Sequence, residues 1–289
     1  MSDALRPRRS VLYMPSSNER ALEKAKSIPT DALIFDLEDA VAADAKESAR
    51  AQAVAAAGSG QYGHREITIR CNGLDTPWGA DDLAAAATSG ASAVVIPKVD
   101  SVDYLNRVSS SLDAAGADES MSIWAMVETP TAIFDVRALA AHSRVAVLVM
   151  GTNDLVKELR AVPGDRRATL TPYLATAVLA AREAGKAVLD GVYNNVRDEG
   201  GFQNEAMQGF EMGFDGKTLI HPSQVQPTND IWAPSETQID EAHRIIEAFA
   251  TAQAEGLGVV TVDGKMVENL HRDNALRVLA TAKAIAALN

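Results

Sequence analysis

Eight short apolar runs recur along this chain at a spacing of about thirty residues, and from the second onward each is closed by a charged residue or an imidazole. The first is SVLYMP at 10–15, and strands are expected again at 32–37, 66–71, 93–97, 122–127, 145–150, 187–192 and 217–220. The closing residues are Glu38 with Asp39, then Arg70, Lys98, Glu128, Asp154, Asp190 and His221. Between the runs lie segments with helical periodicity, many of them alanine-rich. They cover 18–28, where Ser17 or Asn18 can cap, 46–58, 77–89 with Pro77 at the start, and a fourth reaching about residue 115. Others follow at 131–142, over a sixth segment broken by AVPGDRR and resumed at 170–185, and at 202–213. Near-continuous apolar strands alternating with amphipathic helices imply a parallel sheet covered on both faces. Eight such units favour closure into an α/β (β/α)8 TIM barrel over an open doubly wound sheet, and a barrel carries its chemistry at the C-terminal ends of its strands. No Gly-x-Gly-x-x-Gly follows the first strand, which removes the main marker of a dinucleotide fold.

The barrel domain is expected over 1–230, with 231–289 as a C-terminal extension. A helix at 235–256, capped by Ser235, leads to the apolar VVTV at 259–262, an Asp263-Gly264 turn and the segment KMVENLHRDNALRVLATAKAIAAL over 265–288. The hairpin-like VVTVDGKMVE reads as a lid or an oligomer contact, and the tail as a whole also suits a helical cap over the barrel bottom.

With 289 residues, 47% of them hydrophobic, the chain can fill one large core. A net charge of −12 argues against nucleic acid or an anionic membrane as a main partner. Basic residues nevertheless gather near the start, at Arg6, Arg8, Arg9, Arg20, Lys24 and Lys26. They suit a local site for a phosphorylated ligand, or a basic arm followed by a solvated helix face. The single cysteine, Cys71, rules out an intrachain disulfide and reads as a small buried hydrophobe rather than a nucleophile. A cytoplasmic protein is expected: the opening MSDALRPRRS lacks a signal-peptide core, and no run approaches eighteen apolar residues.

Glu128 and Asp154 close neighbouring strands, so a barrel turns both toward one pocket. Two carboxylates there repel each other unless a hard cation sits between them, and an all-oxygen pair suits Mg2+, which keeps water or substrate oxygens in its other positions. The alternative is a helix cap and an ion pair. Arg70 is placed to grip a carboxylate bidentately, or to pair with Glu38 or Asp39. Asp36, Glu38 and Asp39 are too dense an acidic group to serve packing alone. His221 can donate to substrate, act as an acid or be structural. Lys98 can form a Schiff base or, in acidic surroundings, an ordinary ion pair. No Cys/His cluster supports zinc, and no Gly-x-Ser-x-Gly elbow supports a serine hydrolase.

Seven motifs now converge: RSVLYMP at 9–15, FDLEDAV at 35–41, IRCNG at 69–73, VIPKV at 95–99, MVET at 126–129, MGTNDL at 150–155 and GFDGKTLIHPSQ at 213–224. Together they identify the chain as resembling the HpcH/HpaI aldolase and citrate lyase beta-subunit superfamily over nearly its whole length. The likeness is strongest to its malyl-CoA lyase and (3S)-malyl-CoA thioesterase branch. The resemblance implies an enzyme using Mg2+, or Mn2+ in its place, on a CoA thioester such as malyl-CoA. It implies Glu128 and Asp154 as metal ligands and Arg70 as the residue holding the substrate carboxylate; the residues themselves put Asp36 and Glu38 in the catalytic site beside it, to orient Arg70, bind outer-sphere metal waters or hold a neighbouring loop. The backbone near Asn153 would help position the same group. Tyr13 and Lys24 match residues of the CoA site. The family often has a basic residue where this chain has Asn18, and Arg20 can stand in from nearby. Ile220, His221 and Pro222 match the segment lining the acyl or pantetheine region. A homotrimer or a hexamer of such trimers is implied.

One departure stands out. The family commonly carries Asp-x-Pro after the hairpin of the tail, supplying an acid–base aspartate to a neighbouring subunit. Here the segment reads KMVENLH, so Glu268 takes that place and the proline is absent. The longer side chain favours a carboxylate aimed at water, hence thioester hydrolysis to malate and CoA. The rival is a malyl-CoA, β-methylmalyl-CoA or citramalyl-CoA lyase releasing glyoxylate or pyruvate. A citrate lyase subunit, a phosphoenolpyruvate-using barrel enzyme and a non-catalytic scaffold rank behind these.

Overall fold

The eight strands close, in sequence order, into a parallel barrel in the computed structural model, which describes residues 6–254, 260–262 and 264–288. They are β1 (Ser10–Pro15), β2 (Ala32–Asp36), β3 (Glu66–Arg70), β4 (Ala93–Ile96), β5 (Ser122–Val127), β6 (Val145–Met150), β7 (Ala187–Asp190) and β8 (Gly216–Leu219). The seam closes with β1 beside β8, Val11 opposite Thr218. Gly216 makes that closure possible, since a Cβ there would lie 1.9 Å from the Arg8 carbonyl oxygen.

Around the barrel run α1 (Glu19–Ala25), α2 (Lys46–Gly58), α3 (Gly79–Ala87), α4 (Val102–Ala114), α5 (Pro130–Ala141), α6 (Thr152–Leu159), α7 (Thr171–Ala184), α8 (Glu199–Glu211) and α9 (Val225–Trp232). Several strands end a residue or two before the apolar pattern does, because the rim residues already turn into loops. Helix α1 stops three residues short of the expected end, since Pro29 disfavours helical backbone at Ile28. Helix α3 starts at Gly79 rather than Pro77: the chain is still turning at Thr76, whose N–H bonds the Gly73 carbonyl. Helix α8 starts three residues earlier than expected. Asp198 caps it by accepting from Gly201 N–H at 2.9 Å. Gly201 is needed in its first turn, because a Cβ there would meet the Tyr193 hydroxyl at 2.1 Å and Asp198 Oδ2 at 2.3 Å.

Inside the barrel the alternate positions Val11, Ala32, Ile34, Val95, Trp124, Met126, Val147, Val149 and Leu189 form one apolar cluster, with Tyr13 packed on it. Side chains alternate across a strand, so Asp36, Arg70 and Glu128 follow in phase and point inward above that floor. Asp190 is out of phase. It turns outward into a fully buried ion cluster, 2.8 Å from both Lys217 Nζ and an Arg167 guanidinium nitrogen, and so leaves the set of rim residues expected to face the pocket. Burial alone would raise its carboxyl, but Lys217 and Arg167 outweigh that and hold it below the ordinary value.

The basic N-terminal group is likewise redistributed. Arg8 makes a buried two-point pair with Glu66 at 2.7 and 3.0 Å, and Arg9 one with Asp31 at 2.9 and 2.8 Å. Both sit where β1 begins, at the end opposite the rim, so neither serves a phosphate site at the pocket.

Arg8–Ile231 form one compact unit, and a second begins at Trp232. In the second, α10 (Glu236–Ala254) packs against α11 (Asn269–Ala286), and β9 (Val260–Val262) pairs antiparallel with β10 (Lys265–Val267). Residues 1–5, 255–256 and 259 and Asp263 of the expected turn lie outside the described residues. Among those described, no helix is long and apolar enough to cross a membrane.

Candidate active site

At the end of β3, Arg70 is gripped by Asp36 at the end of β2. Nε donates to Oδ1 at 2.6 Å and a terminal nitrogen to Oδ2 at 2.7 Å. Its other terminal nitrogen lies 2.9 Å from Glu38 Oε2 and 3.9 Å from the Met126 sulfur. The guanidinium lies over the Tyr13 ring, 4.8 Å from its centroid. Burial would discharge Arg70, but Asp36, Tyr13 and Glu38 together hold it charged. Tyr13 stays a neutral phenol because burial raises its pKa more than Arg70 lowers it. Burial likewise raises Glu38, against the pull of Arg70.

Across the mouth, at the end of β5, Glu128 is 2% exposed. Its Oε1 accepts the backbone N–H of Lys98 at 2.7 Å. Burial, with Asp154 and Glu38 nearby, pushes its pKa to about 7, against the lowering effects of that hydrogen bond and of Arg70. Asp154 stands in the first turn of α6, half-buried. The ammonium of Lys98 is exposed. Burial alone would lower it, but Glu38, Asp154, Glu128 and Asp39 outweigh that and raise it, so it stays a cation and not the free amine a Schiff base requires.

Several functional positions were not singled out in the sequence. Lys46 is buried, and its Nζ donates to the carbonyls of Leu37 and Glu38 at 2.7 Å each and to Asn72 Oδ1 at 2.8 Å. It therefore clamps the loop bearing Glu38. Asn72 is tied in turn to Asp82 at 2.6 Å, and Asp82 to Arg50 at 2.7 Å. The available signal was a lone lysine seven residues past FDLED, opening an alanine-rich helix. Gly151, between β6 and α6, is the other: a Cβ there would fall 2.2 Å from Glu128 Oε2.

Tyr13, Asp36, Glu38, Arg70, Lys98, Glu128 and Asp154 are thus brought together. The remaining candidates stand apart in printed contacts. Asn18 caps α1 through its side-chain oxygen, 3.1 Å from Ala21 N, with Arg20 and Lys24 one turn apart on the exposed face of that helix. Asn153 forms a reciprocal amide pair with Asn194 at 3.2 and 2.7 Å. His221 accepts at Nδ1 from the Ser223 N–H at 3.2 Å, which leaves Nε2 as the proton-bearing nitrogen of the neutral ring. Ile220 is 40% exposed beside it, and Pro222 follows. Cys71 is buried, and burial raises its thiol, the condition of an inert cysteine. Glu268, in the second unit, is exposed, and its N–H donates to His271 Nδ1 at 3.0 Å.

Among the described residues no three His, Cys, Asp or Glu side chains cluster as a metal cage. Glu128 and Asp154 are the carboxylates placed to hold a hard cation. Glu128 Oε2 receives no protein hydrogen bond among the described residues, and two neighbouring carboxylates burden the same buried group.

A closed parallel barrel whose mouth joins an arginine, held by acids, to a second pair of carboxylates defines an acid-rich (β/α)8 barrel of the enzyme type. The chain belongs to the HpcH/HpaI aldolase/citrate lyase family, whose profile matches residues 9–222. It is 47% identical over 287 residues to a (3S)-malyl-CoA thioesterase of Cereibacter sphaeroides, covering 99% of each chain. It is 35% identical to the citrate lyase subunit beta of Escherichia coli, over 96% of this chain and 94% of the other. Among solved structures it resembles CitE of Mycobacterium tuberculosis in complex with magnesium, acetoacetate and coenzyme A. That match has a TM-score of 0.77 and 26% identity, over 96% of this chain and 99% of the other.

Proposed function

We propose that this chain is a Mg2+-dependent (3S)-malyl-CoA thioesterase that hydrolyses malyl-CoA to malate and CoA. The observation that carries the reading is the near full-length likeness to the Cereibacter enzyme. The Arg70 and Glu128 geometry suits that substrate. Glu128 and Asp154 hold Mg2+, or Mn2+ in its place, and the fit lies in the charge that a buried and a half-buried carboxylate, repelling each other, need offset. When bound, the ion supplies positive charge that orients the 2-hydroxy acid end of the substrate and stabilises developing negative charge.

The protein's own groups do the rest. Asp36 and Glu38 fix the Arg70 plane, and Arg70 binds the malyl carboxylate with the terminal N–H directed away from Asp36. Tyr13 supports the guanidinium from below, and the backbone at Asn153 completes the cradle. Asn18, Arg20 and Lys24 along α1 receive the phosphates of CoA. Ile220 and Pro222 line the acyl and pantetheine path, and His221 presents Nε2–H as a donor to substrate. Glu268, supplied by a neighbouring subunit's tail acting as a lid, takes a proton from water. The water oxygen bonds to the thioester carbon, the carbon–sulfur bond breaks, and the proton passes to the departing thiolate. The assembly is a homotrimer or a homohexamer, located in the cytoplasm.

A second reading, carbon–carbon cleavage to glyoxylate and acetyl-CoA, draws on the likeness to citrate lyase beta subunits. One assay on (3S)-malyl-CoA with Mg2+, following free thiol and glyoxylate together, separates the two. Thiol and malate without glyoxylate support the thioesterase; glyoxylate with little thiol overturns it.

A further inference from the structure

Lys98 leaves β4 with φ at 50°, one of four non-glycine residues with positive φ among the described residues. The other three, Arg160, Arg166 and Arg167, lie at the end of α6 and in the loop that follows. In this conformation Cβ crowds the next carbonyl, and such outliers persist where their surroundings over-determine them. The surroundings at Lys98 are explicit. Its N–H donates to Glu128 Oε1 at 2.7 Å, and the next residue, Val99, is fully buried. The left-handed turn lets the chain dive into the core at Val99 while the N–H stays aimed at the end of the neighbouring strand β5. On the far side of the same carboxylate, Gly151 leaves no room for a Cβ, which would lie 2.2 Å from Oε2 and 2.5 Å from the Glu128 Cβ. Glu128 is therefore confined from both sides, with Oε1 anchored.

We propose that Lys98 is a positioning residue for Glu128: its left-handed backbone fixes Oε1 and so presents Oε2 to the divalent cation. The proposal rests on the reading of Glu128 as a metal ligand. It assigns the role to the backbone. The exposed ammonium is not required for it, so any side chain that tolerates the left-handed region preserves the effect.

The test is calorimetric titration of the full chain with Mn2+, comparing Lys98→Gly, Lys98→Asn, Lys98→Ala and Lys98→Val. All four lack the ammonium, so differences among them report the backbone alone. Gly and Asn accept positive φ and are expected to bind alike. Ala and Val resist it, and Val is expected to bind about tenfold more weakly, the usual loss when an outer hydrogen bond to a metal ligand is disturbed. If Lys98→Val does not fold, Lys98→Ala supplies the comparison. Equal affinity across the series overturns the proposal. Glu128→Gln is titrated alongside. If it binds like the wild type, the metal-ligand reading has failed and the proposal with it. If it loses binding while the Lys98 series stays flat, only the proposal fails. A second readout is amide exchange at Lys98, expected to quicken at least about tenfold in Glu128→Ala as the hydrogen bond is lost; an unchanged rate counts against the proposal.

Discussion

Arg70 and Asp36 meet edge to edge, 2.6 Å and 2.7 Å apart through two parallel hydrogen bonds, and both Asp36 oxygens also accept backbone N–H groups, from Glu38 at 2.9 Å and Ala40 at 3.2 Å. Asp36 therefore fixes the guanidinium plane and the acidic loop at once. With Tyr13 beneath it, Arg70 is a preset plane rather than a mobile charge. That is the form of cation suited to a carboxylate whose orientation has to be held.

Arg70→Lys keeps the charge and loses the plane. The kcat/KM for malyl-CoA is expected to fall about 100-fold, the equivalent of one or two charge-assisted hydrogen bonds. Asp36→Ala leaves a buried guanidinium short of its partner and is expected to destabilise the fold by about 3 kcal/mol. Thermal unfolding of both variants separates the effects: Arg70→Lys should lose activity with a smaller fall in Tm than Asp36→Ala.

Glu128, with its pKa at about 7, links pH to metal. Its folded pKa is raised above the ordinary carboxylate value, so the native state holds a proton the unfolded chain has already lost. The associated stability is present at acid pH and lost as pH rises through about 7. If Glu128 holds Mg2+ as proposed, the ion reverses that loss by taking the proton's place. Added Mg2+ should therefore raise Tm more at pH 8 than at pH 5.5. Its apparent affinity should fall roughly tenfold for each pH unit below 7. A flat affinity across that range would show that Glu128 does not titrate with metal binding.

The barrel was legible because each unit repeats the same alternation of apolar run and amphipathic helix. Arg70, Asp36 and Glu128 were legible as polar residues closing such runs. Asp190 closes one too, yet points out of the barrel. Both faces of a parallel barrel strand are apolar, so AVLD offers no alternation from which its facing could be read. The Lys46–Asn72 link joins residues 26 apart in the chain, and neither has a local pattern that names the other. Gly151 matters through an oxygen on a different strand. That is a property of space, not of sequence.

Gly151→Ala tests that crowding. The added methyl would lie 2.2 Å from Glu128 Oε2 and 2.5 Å from its Cβ, so the strand end bearing Glu128 has to shift together with its carboxylate. Displacing such a group by about 1 Å typically lowers rates about 100-fold. Turnover is expected to fall by that order with Mg2+ binding weakened in parallel. Backbone φ at Gly151 is −93°, within reach of alanine, so the fold should persist by circular dichroism.

Lys217 has three acceptors: the buried Asp190 and Gly191 carbonyl and the half-buried Glu205. Lys217→Met removes one of the two cations on Asp190 and leaves that fully buried carboxylate with Arg167 as its remaining partner. A loss of about 3–5 kcal/mol is expected, read as a lowered midpoint in urea. Because this cluster faces away from the pocket, the KM of the folded fraction should stay within about twofold.

In the proposed function, Glu268 is the residue that would select between water and carbon–carbon chemistry. It directly precedes α11, with its N–H held by His271 Nδ1 at 3.0 Å, and its side chain is exposed. A carboxylate one methylene longer than the family's aspartate reaches further and is suited to a water beside the thioester. Glu268→Asp draws it back by that methylene. Turnover of malyl-CoA to malate should fall about 100-fold, while glyoxylate release should fall less, so the malate-to-glyoxylate ratio drops. Glu268→Gln retains the size but cannot accept the proton, and both products should decline together. The ratio, measured in one sample from thiol, malate and glyoxylate, does not depend on how much enzyme is folded. An unchanged ratio in Glu268→Asp would place the choice of product elsewhere in the site, leaving the tail carboxylate with no part in selecting water.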